Sequence, residues 1–201
     1  MTILKGSQWG EHGEFPADAP VAATNRELHR LVAAGERLIG LTGGDLYRTV
    51  GGGPNHARLT VSDPANLPVH LPVDLVEVFL DDRRVSTFTT HLVGHDIRWR
   101  HIVTAMNCDF WRSYRLGPSA HPNDGVIDTY VADLPFSDLL KVRPRARRGL
   151  HVPHPAITLS RSGFVELALP KDLRFVADDV PVGRGRLLRL TVVPDALTVV
   201  V

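Results

Sequence analysis

Three acidic turns and one basic run hold the residues whose types and spacing could do chemistry. His121-Pro122-Asn123-Asp124-Gly125-Val126-Ile127-Asp128 and Arg174-Phe175-Val176-Ala177-Asp178-Asp179-Val180-Pro181-Val182-Gly183 each set carboxylates at a strand entrance or turn. Thr42-Gly43-Gly44-Asp45 sets a third ahead of a short helical stretch. Asp, Asn and Gly gather in turns for local backbone reasons, and Asp suits a helix N-cap, so each carboxylate has a purely local reading. The functional reading makes Asp124 a cation ligand and Asp178 with Asp179 a catalytic pair. Lys141, Arg143, Arg145, Arg147 and Arg148 crowd one short segment interrupted by Pro144. Such a run suits anionic headgroups or a phosphate, Arg being fitted to bidentate contacts, or else it is a solvated loop. Asp45, Arg143, Arg147 and Arg148 are therefore the candidate substrate- or anion-binding residues. His151 and His154 would face together only on a helix, and Pro153 and Pro155 favour extended chain, which argues against a zinc pair. Cys108 reads as a small buried apolar residue, and Trp99 and Trp111 as core or interface aromatics.

The elements that must position these groups fall into two textures. Residues 1 to 20 read as a loose arm rich in Gly and Pro. Thr24-Asn25 then caps a helix predicted over Arg26–Ala34, with Leu28, Leu31 and Val32 at helical spacing, followed by a buried strand at Leu38–Leu41. One or two helical turns over Leu46–Val50 end at Gly51-Gly52-Gly53-Pro54-Asn55, which lacks the Lys-Ser/Thr of a phosphate loop. From residue 58 onward short apolar runs alternate with turn residues: Val73–Leu80, Val85–Leu92, Ile102–Met106, Val126–Val131, Ala156–Ser160, Phe164–Leu169, Leu187–Val193 and Leu197–Val201. Asp81-Asp82-Arg83-Arg84 is a hairpin turn, and one helix is expected over Phe136–Val142, closed at Pro144. The pattern predicts a mainly β (α+β) chain, with an arm and truncated α/β remnant over 1–57 and a two-layer β-sandwich over 58–201.

Composition narrows the field. The chain has 201 residues, 43% hydrophobic and 22% charged, which places it among globular proteins rather than disordered ones. A formal net charge of +1 supplies no overall attraction to nucleic acid, so any anion binding must be a local patch. The single cysteine precludes an internal disulfide and fits a cytoplasmic setting. No apolar run reaches the length of a signal peptide or membrane span, leaving peripheral membrane contact as the membrane option. Lysine occurs only at Lys5, Lys141 and Lys171, an Arg bias that fits a GC-rich bacterial genome.

Three segments resemble the carboxy-terminal part of the diacylglycerol and sphingosine kinases, the lipid kinases related to NAD kinase. Thr42–Gly51 is similar to their T-G-N-D-F-A-R-T-L-G segment, with Gly44 in place of Asn. Asn107–Asp128 is similar to their strand, basic loop and D-G-L-L-D turn, and Phe175–Gly183 to their A-D-G-E-P-x-G turn. The resemblance implies that Asp124 helps hold Mg²⁺ through water with the Ile127 carbonyl, and that Asp178 is the base that takes the lipid hydroxyl proton. Asp179 and Val180 stand where that family has Gly and Glu, and a lost Gly matters where φ is positive.

The resemblance also implies a nucleotide cradle, a G-G-D-G-T turn opening a helix whose amides hold phosphates. The matching junction is Val21-Ala22-Ala23-Thr24-Asn25-Arg26, without glycine or carboxylate, and the family's earlier strands and helices have no counterpart before it. The expectation is a non-catalytic homologue that binds a lipid, a small anionic ligand or a protein partner, with no cofactor of its own. The alternative is an ATP- and Mg²⁺-dependent lipid kinase whose nucleotide-binding half comes from another chain. A homodimer is expected, joined near Leu38–Val50 or Leu197–Val201, where a missing nucleotide domain would leave apolar surface uncovered.

Overall fold

The computed structural model describes residues 9–52, 59 and 67–201. The expected boundary at 57/58 and residues 53–55 of the glycine-rich segment lie outside them. The chain runs β1 (Glu11–His12), β2 (Val21–Ala22), α1 (Asn25–Ala33), β3 (Leu38–Leu41) and α2 (Gly44–Thr49), then β4 (Val69–Leu80), β5 (Arg83–Phe88), β6 (His91–His95), β7 (His101–Met106) and β8 (Ile127–Asp133), and finally α3 (Phe136–Ala146), β9 (Ile157–Ser162), β10 (Phe164–Ala177) and β11 (Val180–Val200).

Among the described residues one sheet takes up every strand. Its main path is β1-β4-β11-β10-β6-β7-β8-β9, with β5 hydrogen-bonded to β4 and with β2 and β3 joined through β11. Alternating apolar residues explain the curl: Val76, Val78, Phe88, Val103, Ile127, Phe175 and Leu188 share one core, so the β4/β11 end of the path folds over the β7/β8 end. This is the mainly β, sandwich-like fold that the strand spacing predicted. A second core lies under α1 and α2, where Leu28, Val32, Ile39, Leu46, Val73 and Val199 meet.

Local chemistry sets the element ends. Thr24 accepts a hydrogen bond from the Glu27 amide while the Glu27 carboxylate accepts one from the Ala23 amide, a reciprocal box that starts α1. The hairpin turn expected at Asp81 and Asp82 is present, both residues having positive φ as a two-residue type I′ turn requires.

The structure corrects several expected boundaries. The run Val85–Leu92 is two strands, because Thr89 and Thr90 leave the ladder to bind Asp178. Phe164–Leu169 continues to Ala177, and the two C-terminal runs form the single strand β11 with a register shift between Val193 and Leu197, which brackets Pro194. α3 extends past Pro144 to Ala146, since a proline near a helix end removes only one intrahelical bond. Leu197–Val200 is no sheet edge: β4 lies on one side and β3, parallel, on the other. Leu38–Val50 mixes buried positions, Ile39 to Leu41 and Asp45 to Tyr47, with half-buried ones.

Gly94 shows how tightly β6 is seated. A Cβ at that position would fall 2.3 Å from Cε1 of Phe175, a fully buried ring with no room to yield. Gly94→Ala is expected to cost about 1–3 kcal/mol by overpacking, read as a lower urea midpoint with unchanged slope.

Candidate functional site

The turn between β10 and β11 consists of Asp178 and Asp179, with φ of 46° and 64°. Two positive φ values in a two-residue hairpin ordinarily call for Asn-Gly. Asp179 therefore adopts the left-handed conformation without glycine, and the turn keeps its shape.

What holds that turn is the set of groups it inserts among. Asp178 is fully buried. Its carboxylate accepts from the Thr89 amide (2.9 Å) and hydroxyl (3.1 Å), the Thr90 amide (2.9 Å) and hydroxyl (2.5 Å), and the His91 amide (3.2 Å). The His29 Nδ1 lies 3.5 Å from it. Burial alone would raise the Asp178 pKa. The neighbouring His29 and His91 rings and the bond from Thr90 outweigh it and hold the carboxyl below its usual value. Asp178 is thus an organising anion, with no face open to a substrate hydroxyl.

Asp179 points the other way. Arg112 donates to its Oδ1 through Nε (3.1 Å) and Nη2 (3.0 Å), and Asn25 donates to Oδ2 (3.0 Å). Asn25 also donates to Asp45 Oδ2 (2.8 Å) and accepts from the Asp45 amide (2.7 Å), while the Arg112 amide donates to Asp45 (3.0 Å). Asp45 is therefore a buried link between α1, α2 and the loop after β7. Gly44, where the resembling kinases carry Asn, has φ of +91°, and a Cβ there would lie 2.8 Å from Asn25 Oδ1. The Asn25 side chain fills the space that a side chain at 44 would need. His91 sits inside the cluster, fully buried. Desolvation lowers its pKa despite the neighbouring Asp178 and Asp45, so the imidazole is neutral.

At the start of α1 the Glu27 amide is taken by Thr24, and the Asn25 and Arg26 side chains are held by Asp45 and Asp179.

The second acidic turn is organised by Asp74, a residue that sequence reasoning passed over. It is buried in β4 and accepts from the Gly125 amide (2.8 Å) and the Asp195 amide (3.0 Å). Burial raises its pKa. Asp124 lies beside it, but Arg161 spans Asp124 Oδ2 and Asp128 Oδ1, both at 2.6 Å. Burial pushes the carboxyls of Asp124 and Asp128 up, and the Arg161 charge works against that rise. Ile127 is fully buried and pairs with Ser162. A guanidinium thus sits where Mg²⁺ would have to bind, and among the described residues no three His, Cys, Asp or Glu side chains are grouped as a metal site. The donor set does not fit the ion.

The basic segment forms a third locus. Arg143 Nε donates to the Tyr114 hydroxyl (2.6 Å) and lowers the phenol pKa, and the Arg147 guanidinium lies 5.7 Å from the Tyr114 ring centre. Pro144, Arg145, Arg147, Arg148 and Leu150 line a shallow groove of about 500 Å³. Tyr114 stacks on Trp111, with Trp99 beyond it on His95, a half-exposed aromatic row rather than a core. Cys108 is buried just after β7, its thiol pKa pushed up by desolvation. His151 packs on Tyr130, while His154 accepts from the Ala156 amide, so the two histidines take separate partners.

The structure therefore joins Asp45 to Asp178 and Asp179, keeps Asp124 and Ile127 at a separate turn, and ties Arg143 and Arg147 to Tyr114. His29, Asp74, Arg112 and Arg161 were not singled out from sequence, and Asn25 only as part of a helix cap. Asp74 alone carried a readable signal, a carboxylate in the run Val73-Asp74-Leu75-Val76 where both strand faces are apolar.

Comparison with known proteins places this geometry. Three solved structures from Bacillus anthracis str. Sterne superpose on the chain. A diacylglycerol kinase matches with TM-score 0.58 at 12% identity over 81% of this chain and 66% of its own. A second, assigned as a diacylglycerol kinase, gives 0.59 at 11% over 81% and 68%. A third so assigned gives 0.57 at 11% over 87% and 80%. At these identities the likeness is one of fold, and the chain spans about two thirds of the first structure's length. No curated protein sequence matches. The family model for the YegS C-terminal NAD kinase beta sandwich-like domain matches residues 84–201, more than half of the chain and the part that carries both acidic turns, and the chain belongs to that family.

Proposed function

We propose that this chain is a homologue of the diacylglycerol kinases that transfers no phosphate and instead binds an anionic ligand, foremost an anionic lipid surface, through α3 and the segment after it. The observation that carries this reading is the composition of that face. Phe136, Leu140 and Leu150 stand exposed beside Arg143, Arg147 and Arg148, with the Trp111–Tyr114 pair adjoining through Arg143. Exposed apolar side chains bordered by guanidiniums suit a headgroup region, where both acyl carbon and phosphate are in reach. The absence of phosphoryl transfer is supported by the internal commitments of Asp124 and Asp178, since that chemistry rests on charges held out for the phosphates and the metal.

The test has two arms. The purified chain with ATP and Mg²⁺ is expected to leave diacylglycerol and sphingoid bases unphosphorylated; turnover above background that vanishes in Asp124→Asn would overturn that arm. Vesicles containing anionic lipid are expected to retain the chain in a salt-sensitive way, and Arg147→Ala with Arg148→Ala to reduce retention several-fold at an unchanged melting temperature. Equal retention on neutral and anionic vesicles, or none on either, would defeat the binding arm.

A further inference from the structure

The Ser86 hydroxyl and the hollow beside His29 are used by nothing described above. His29 lies on α1 facing β5, and its two ring nitrogens meet different partners. Nδ1 is buried without a hydrogen-bond partner of ordinary geometry, and Asp178 Oδ2 lies 3.5 Å away. Nε2 is 3.4 Å from the Ser86 hydroxyl. Asp178 is fixed by five donors and kept ionised, and so cannot swing away. Ser86 and His29 both open on a hollow of about 720 Å³ between α1, β5 and the end of β11. That volume holds a small organic molecule. Its wall includes Val32, Leu75 and Val193 together with Glu77 and Arg84, which pair with each other at 3.0 Å.

The strand that presents Ser86 is bulged at that point. Val78 pairs with Ser86 and Phe79 with Arg84, so Val85 is the extra residue. A bulge re-aims the next side chain, and bulges recur beside reactive sites. Here it lets Arg84, Val85 and Ser86 all reach the hollow.

The geometry points to Ser86, His29 and Asp178 as a nucleophilic relay that cleaves a carboxylic ester with an apolar acyl group. The roles follow from proton bookkeeping. Asp178 accepts from His29 Nδ1–H and so fixes the tautomer that leaves the Nε2 lone pair on the Ser86 hydroxyl. As Ser86 Oγ bonds to the ester carbonyl carbon, its proton passes to Nε2. The bond from that carbon to the alkoxy oxygen breaks, and Nε2–H protonates the departing alcohol. Water then repeats the sequence on the acyl-serine: its proton goes to Nε2, the carboxylic acid leaves, and Ser86 regains its proton. The apolar part of the wall takes the acyl chain. The two contacts are longer than working hydrogen bonds, as catalytic contacts commonly are before substrate closes them.

The experiment uses the full chain, a fluorophosphonate probe and p-nitrophenyl butyrate. The expected result is a single phosphonyl adduct on Ser86, located by peptide mass spectrometry, with ester hydrolysis above the buffer rate. Ser86→Ala removes both at an unchanged melting temperature, because it deletes one half-exposed hydroxyl. His29→Gln lowers hydrolysis by about 100-fold or more. No adduct, an adduct elsewhere, or hydrolysis unchanged in Ser86→Ala overturns the assignment. Neither result bears on vesicle binding or on phosphoryl transfer, so this inference stands or falls by itself.

Discussion

Replacing Asp178 with Asn is expected to destabilise the fold by about 3–5 kcal/mol, the range for removing one member of a buried, hydrogen-bonded charge arrangement. For a chain of this length that is a fall in melting temperature of roughly 10 °C. Donor count sets the size of the loss. Five hydrogen-bond donors converge on the carboxylate, three of them backbone amides that cannot turn away. A carboxamide keeps one acceptor oxygen and brings an NH₂ against the remaining donors, so at least one buried amide is stranded at about 1–3 kcal/mol, and more because the lost partner is charged. Asp179→Asn serves as the contrast: its Arg112 partner is largely exposed, and such surface pairs contribute about 0–1 kcal/mol. Thermal unfolding of the two variants side by side decides the matter. Equal effects would mean that the turn, rather than the Asp178 charge, holds this end of the sheet.

Strand existence was legible because period-two patterning is local, and Val73–Leu80 or Ile102–Met106 read correctly with nothing else known. The α1 start was legible because Thr24 and Glu27 satisfy each other within one turn. The break between β5 and β6 was not. Val85–Leu92 has unbroken β propensity, and what ends it is a carboxylate some ninety positions later that recruits the Thr89 and Thr90 amides.

The candidate sites divide along the same line. Asp124, Asp178 and Asp45 stood out by type and turn context, which sequence records. Their partners did not: Arg161, Asn25, Arg112 and His29 are ordinary residues of ordinary strands, helices and loops, significant only through register and packing. Asp128 faces Arg161 because β8 and β9 align those two positions. A slip of one residue would send Arg161 to the opposite face. Whether an acidic turn presents a free carboxylate or a neutralised one is therefore decided across the sheet.

Arg161→Met tests that neutralisation through its pH dependence. Asp128 is almost wholly buried and Arg161 about half exposed, so the loss lies below that of a fully buried pair, at about 1–3 kcal/mol near neutral pH. Asp128 and Asp124 already have raised pKa values from burial, and removing the cation raises them further. A carboxyl whose folded pKa exceeds its unfolded one gives its full contribution below the unfolded value, and loses it as pH rises through the folded value. The gap between wild type and Arg161→Met should therefore narrow on acidification while the pH is still above the usual carboxylate range. For Asp178 the sign is opposite. Its lowered pKa supplies stability above the unfolded value that is lost as pH falls through the folded one, so the gap for Asp178→Asn should hold until the pH drops below that range. Adding Asp128→Leu to Arg161→Met should recover part of the loss, since replacing both members of a buried pair with apolar groups is often close to neutral. Urea unfolding of the three variants from pH 4 to 8 gives the result. A gap for Arg161→Met that is flat across this interval would mean that Arg161 does not neutralise the Asp124 and Asp128 turn, and that its carboxylates remain open to a cation.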